Sequence, residues 1–127
     1  RNKYFKGSSS PKAITSIPGT SNALHIFEGF FNFLSALEYY RTTKPTGTCI
    51  ILNSVSNLEP IFNTLEQYQN INAYTDNDRA GELAAENIKH AHPKVKDYSK
   101  IIYPRHNDFN EFLTSGHKKS TLSKQDA

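Results

Sequence analysis

A chain of 127 residues, 36% hydrophobic, is the size of one globular domain with one core, which excludes a disordered tail, and no apolar run nears the roughly 20 residues that span a bilayer. Its single cysteine, Cys49, lies in an apolar run and reads as a buried small hydrophobe, which excludes an internal disulfide or a cysteine-rich zinc site and fits a cytoplasmic setting without a membrane partner. The net charge of +3 is uneven: Arg1, Lys3, Lys6 and Lys12 make residues 1–12 +4, Lys118, Lys119 and Lys124 against Asp126 make 117–127 +2, and the body between is left at −3. An acidic body with basic ends suits a metal site beside a polyanion track, although basic termini are also common as solvated tails.

The start, rich in Ser, Pro and Gly, reads as extended or looping chain. From residue 24 short apolar runs alternate with amphipathic ones. Leu24-His25-Ile26-Phe27 is a strand followed at once by Glu28-Gly29, and Phe30, Phe33, Leu34 and Leu37 fall at helical spacing. Thr48 to Leu52 is a buried parallel strand. Ser56-Asn57-Leu58-Glu59 has the form of a capping box, with Pro60 in the first turn of a helix whose inner face is Ile61, Leu65 and Tyr68. Asn72 to Thr75 is a third strand, Ala80 to His90 a third helix, and Tyr98 to Tyr103 a fourth strand stopped by Pro104. A last short helix covers about Asn110 to Leu113, closed by Gly116.

This alternation with short connections predicts the α/β class, about four parallel strands with helices on both faces. Ligands of such sheets bind beyond the carboxyl ends of the strands. The acidic residues fall there: Glu28 after the first strand, Asp76 and Asp78 after the third, Asp108 after the fourth. Asp76 and Asp78, two apart in extended chain, point the same way and converge on one hard cation such as magnesium. Asp78 also fits as a helix N-cap, and the two roles are compatible. An EF-hand loop is excluded, because its fifth and twelfth positions would be Ala80 and Asn87.

Three blocks together carry a family resemblance over about residues 24–113. Phe27-Glu28-Gly29-Phe30-Phe31-Asn32-Phe33-Leu34-Ser35, Asp76-Asn77-Asp78-Arg79-Ala80-Gly81 and Asn107-Asp108-Phe109-Asn110-Glu111 resemble, in order, the strand-Glu-Gly, Asp-x-Asp-x-Ala-Gly and Asp-x-Asn-Glu signatures of the Toprim domain. The variant is more similar to primases of phages and mobile elements than to the replicative bacterial enzyme. The resemblance implies a Rossmann-like Toprim fold and a DNA primase core, a nucleotidyltransferase making RNA primers on a single-stranded DNA template from nucleoside triphosphates. A helicase is a candidate partner. It also implies catalytic roles for Glu28, Asp76 and Asp78, and Mg2+ or Mn2+ held by Glu28, Asp76, Asp78 and Asp108. Asn53 and Ser54 would line the same crevice, and Arg1, Lys3, Lys6 and Lys12 would contact nucleic acid.

Two departures stand out. Asn32 and Asn110 occupy positions where related primases carry or often carry Asp, so each removes a negative charge from the cluster. A Toprim nuclease, or a nucleic-acid-binding module with weakened catalysis, remains an alternative, while a topoisomerase lacks room for its tyrosine domain. The expected organisation is a basic segment 1–23 continuing from an upstream domain, a catalytic domain 24–116 and a basic tail 117–127. The absence of any methionine suggests a piece of a longer polypeptide.

Overall fold

The computed structural model describes residues 13–115. Its strands are β1 (Thr15–Ile17), β2 (Ala23–Phe27), β3 (Thr48–Ile51), β4 (Asn70–Tyr74) and β5 (Lys96–Asp97). Its α-helices are α1 (Phe30–Tyr39), α2 (Phe62–Leu65), α3 (Arg79–Ala91) and α4 (Tyr98–Ile101), followed by α5 over residues 109–115. The five strands form one sheet in the order β1-β3-β2-β4-β5. All neighbours run parallel except β1, which pairs antiparallel with β3 at one edge. The expected α/β class with helices on both faces holds: among the described residues four neighbouring strands run parallel, and β1 adds a fifth, antiparallel one.

Strand alternation builds two different cores. Leu24 and Ile26, Ile50 and Leu52, and Ile71 and Ala73 point to one face, where Leu58, Ile61, Leu65, Ala84 and Ile88 cover them. Phe27, Cys49, Ile51 and Tyr74 point to the other, under Phe33 and Ala36 of α1 and Tyr103, Phe109 and Leu113. The second core is an aromatic pile. The Tyr74 ring stacks on Phe27 at 4.6 Å, on Tyr98 at 5.2 Å and on Phe109 at 5.8 Å between centroids. Cys49 is buried there, its thiol pushed up to about 11 by burial, so it is an inert core residue.

Four expectations need correction. The apolar stripe of α1 is not its buried face: Phe30 and Leu34 are exposed, and Asn32, Phe33, Ser35 and Ala36 are buried. Residues Tyr98 to Tyr103 do not form a strand: the parallel edge is only Lys96–Asp97, and Asp97 then caps α4 by accepting the Ser99 N–H at 3.1 Å. Burial there does not alternate as in a strand, since Ser99 and Tyr103 are buried four apart while Ile101 between them is exposed. The helix expected after Ser56-Asn57-Leu58-Glu59 is instead two 3₁₀ turns (Val55–Asn57, Glu59–Ile61) leading into the four-residue α2. The cap is Ser54, whose hydroxyl accepts from Ser56 N, and no capping box forms at Ser56. Finally, part of the looping start forms strand β1. Gly116 and the basic stretches 1–12 and 117–127 lie outside the described residues.

Candidate active site

The carboxyl ends of β2 and β4, neighbours at the centre of the sheet, deliver the first two acids side by side. The ladder continues past the strands, with Glu28 N–H donating to Tyr74 O and Asn53 N–H to Glu28 O. Glu28 then turns its carboxylate across to β4, where Oε1 accepts the Asp76 N–H at 2.8 Å. Asn32, buried on the first turn of α1, donates Nδ2 to Asp76 Oδ1 at 2.9 Å. The helical spacing of the Glu-Gly block thus carries a neutral amide, four residues after the first acid, directly onto the second.

Asp78 sits at the start of α3 and accepts the Gly81 N–H at 2.8 Å. This N-cap is worth about 1 kcal/mol and coexists with exposure of the residue at the sheet mouth. Gly81 is required for a steric reason. A Cβ there would run into the Asp76 carbonyl, so the first turn of α3 can press against the aspartate loop only without a side chain.

Asp108 comes from the segment after α4 and opens α5. Its Oδ1 accepts the Glu111 N–H at 2.7 Å, while Glu111 reaches back to the Asn107 N–H at 2.6 Å. The Asp-x-Asn-Glu block is therefore a reciprocal helix start of the capping-box kind as well as a source of charge. Asn110 lies exposed on α5, with its carbonyl accepting from Thr114 Oγ1.

The four acids sense one another. Burial raises Glu28 from its ordinary 4.5 to about 7, opposed by the Asp76 N–H and reinforced by the charges of Asp76, Asp78 and Asp108. Burial likewise raises Asp76, opposed by the Asn32 amide and reinforced by Asp108 and Asp78. Among the described residues the one ion pair is Lys100 with Glu82 at 2.8 Å, so none of the four acids has a cationic partner within salt-bridge reach. Hard oxygen donors without a cation suit magnesium or manganese by chemistry. They are not gathered into a ready-made cage, since no three His, Cys, Asp or Glu side chains among the described residues lie close enough to hold an ion.

Other expected site residues lie elsewhere. Asn53, with φ of 64°, uses Nδ2 on Ala13 O at 2.8 Å and Thr15 Oγ1 at 3.0 Å, fastening β1 to the end of β3. Ser54 is engaged in its local cap and with Ser56 Oγ at 2.8 Å. Arg1, Lys3, Lys6 and Lys12 fall outside the described residues. Motif reading passed over Asn77, the middle residue of the aspartate block, although alternation in an extended segment already turns it away from its acidic neighbours. Its Nδ2 donates to Tyr103 O at 2.8 Å, His106 O at 2.9 Å and Ser99 O at 3.3 Å.

A family model described as Toprim-like matches residues 25–113. No curated protein sequence matches significantly. Among solved structures, the fold is similar to that of the primase fragment of the bacteriophage T7 primase-helicase protein, with a TM-score of 0.59 and 21% identity over 84% of this chain and 44% of that one. It is also similar to a chain in a structure of the T7 lagging-strand DNA polymerase interacting with primase domains of two gp4 subunits bound to an RNA/DNA hybrid and dTTP. There the TM-score is 0.57 and the identity 20%, over 84% of this chain and 53% of that one. The chain thus spans about half the length of the chains it matches.

Proposed function

Because the chain belongs to the Toprim-like family, with the fold of a T7 primase fragment, we propose that its acidic sheet edge is the divalent-metal centre of a DNA primase. The substrates would be a single-stranded DNA template and nucleoside triphosphates, the product a short RNA primer. One observation carries the reading: three sequence blocks fold onto one edge and bring four carboxylates into mutual electrostatic range with no cation paired to them. The RNA/DNA hybrid and dTTP in one structural neighbour support nucleic-acid chemistry of this class.

In this reading Asp76 and Asp78 hold Mg2+ or Mn2+, with Glu28 and Asp108 completing the acidic surround. A cation held there would supply charge neutralisation for the triphosphate. Glu28, raised to about 7 by burial, is suited as a carboxylate to accept the proton of the attacking 3′-hydroxyl as that oxygen bonds to the α-phosphorus and pyrophosphate leaves. By donating to Asp76, Asn32 partly opposes the upward push of burial on that carboxyl, and its neutrality leaves the site with one negative charge fewer than an aspartate would give. A helicase partner is proposed on the neighbour's primase-helicase character alone.

The test is primer synthesis by the longer polypeptide expected to carry this domain, on single-stranded DNA with nucleoside triphosphates and Mg2+ or Mn2+. Short primers should form, and Glu28→Gln should abolish them while sparing DNA binding. Metal-dependent cleavage without synthesis would transfer the site to a nuclease. Neither product under any metal would leave a binding module.

A further inference from the structure

Asn77 stands between the two aspartates, yet all its contacts run the other way, to the segment that delivers Asp108. Its N–H donates to Asn107 O at 2.5 Å, a direct backbone link one residue from Asp76, Asp78 and Asp108 alike. Its side-chain nitrogen faces the carbonyls of Ser99, Tyr103 and His106, and its Oδ1 accepts from Lys100 Nζ at 2.8 Å. That orientation is fixed by chemistry: the donor end meets three acceptors, and the acceptor end meets an ammonium. Lys100 also pairs with Glu82, so the tie reaches α3. On the other side of Asp76, Tyr103 donates its buried hydroxyl to Thr75 O at 2.8 Å. The residues before and after Asp76 are both fastened to the Tyr98–Asn107 segment.

We infer that Asn77 is a positioning residue that sets the spacing between the Asp76–Asp78 pair and Asp108, the spacing on which cation binding at this edge depends. The inference rests on the metal-site reading above. The acids supply no tie of their own across this gap: Asp78 and Asp108 each hold the start of their own helix. They repel one another, so a neutral group with both donors and an acceptor must hold the two loops together. Aspartate at 77 would keep the contact with Lys100 but turn acceptors toward three carbonyls. Alanine would keep only the backbone link.

The probe is Mn2+ alone, titrated into the full chain and followed by electron paramagnetic resonance, at a temperature where every variant is folded by circular dichroism. Wild type should bind, and Asn77→Ala should bind roughly tenfold more weakly or worse, the effect usual for residues that orient metal ligands. Asn57→Ala is the control. Asn57 makes a similar amide-to-carbonyl tie, to Leu52 O at 2.8 Å, on the opposite flank of the sheet. It should lower the melting temperature and leave Mn2+ affinity alone. Unchanged affinity in Asn77→Ala, or equal weakening in Asn57→Ala, overturns the inference while leaving the metal site standing. Absence of binding in wild type removes the metal reading and the inference with it. If Asn77→Ala does not fold, Asn77→Ser is read instead: its short hydroxyl cannot reach the carbonyls of Ser99, Tyr103 and His106 together with Lys100, so weaker binding supports the inference and unchanged affinity overturns it.

Discussion

The turns that follow β3 and β4 solve the same geometric problem with opposite chemistry. Each leaves the carboxyl end of a parallel strand, is capped by a side chain accepting a backbone N–H, and uses an asparagine amide to fasten a distant segment. After β3 the groups are neutral: Asn53 anchors β1, and Ser54 closes a 3₁₀ turn. After β4 the capping group is Asp78, Asp76 lies beside Glu28 and Asn32, and the fastened segment brings a further acid. The β3 turn, residues 52–58, carries no charge, whereas the β4 turn carries charge that the described protein does not neutralise. Architecture fixes the edge at which ligands of such sheets bind, and the choice of capping group decides which turn on that edge carries negative charge.

The largest break in this comparison should come from Gly81→Ala. The new methyl group meets the backbone of Asp76, which cannot give way without moving the loop. Overpacking of this kind costs about 1–3 kcal/mol, and chemical denaturation should show it together with weakened Mn2+ binding.

Substitution of the caps separates stability from charge. Asp78→Ala should cost about 1 kcal/mol, as should Ser54→Ala. Asp78→Asn should keep most of its stability, since asparagine caps as well, yet lose metal affinity. Loss of metal affinity in Ser54→Ala, or its retention in Asp78→Asn, would erase the distinction between the turns.

A smaller effect concerns pH. Glu28 is raised in the folded protein from 4.5 to about 7. The native state therefore holds this proton more tightly than the unfolded chain, so its contribution is fully present below about pH 4.5 and lost as pH rises through 7. Metal-free wild type should lose on the order of 1 kcal/mol over that window, allowing for the partial exposure of the side chain. Melting curves of Glu28→Gln should lack this slope. An identical slope in both proteins would place the titration elsewhere.

The three motif blocks were legible because each joins a strand or loop to a helix at a junction that leaves a trace in sequence: Gly29 at the N-cap of α1, and the side-chain caps of Asp78 on Gly81 and Asp108 on Glu111. Helix α1 was legible from its spacing but its buried face was not, because the inward residues are Asn32, Phe33, Ser35 and Ala36 while Phe30 and Leu34 of the apolar stripe stay exposed. Strand β1 was not legible, since three residues at an edge, mostly exposed and set among Ser, Thr and Pro, have no apolar alternation to show. Tyr98–Tyr103 misled because a run of tyrosines and isoleucines has strand composition, while the deciding feature is the Asp97 cap one residue earlier. Asn77 was overlooked because its partners are backbone carbonyls 22 to 29 residues away, which no local motif encodes.

On the proposed reading, the edge beyond β2 and β4 binds a divalent cation through carboxylates that repel one another when it is absent. Thermal unfolding of wild type and Asp76→Asn, each with and without Mg2+, tests it most directly. Wild type should be stabilised by Mg2+, by about 2.7 kcal/mol at one hundred times the dissociation constant. Asp76→Asn should melt higher than wild type without metal, because a repelling charge is gone, and should gain little from Mg2+. Equal Mg2+ responses in the two proteins, or none in either, would contradict the account.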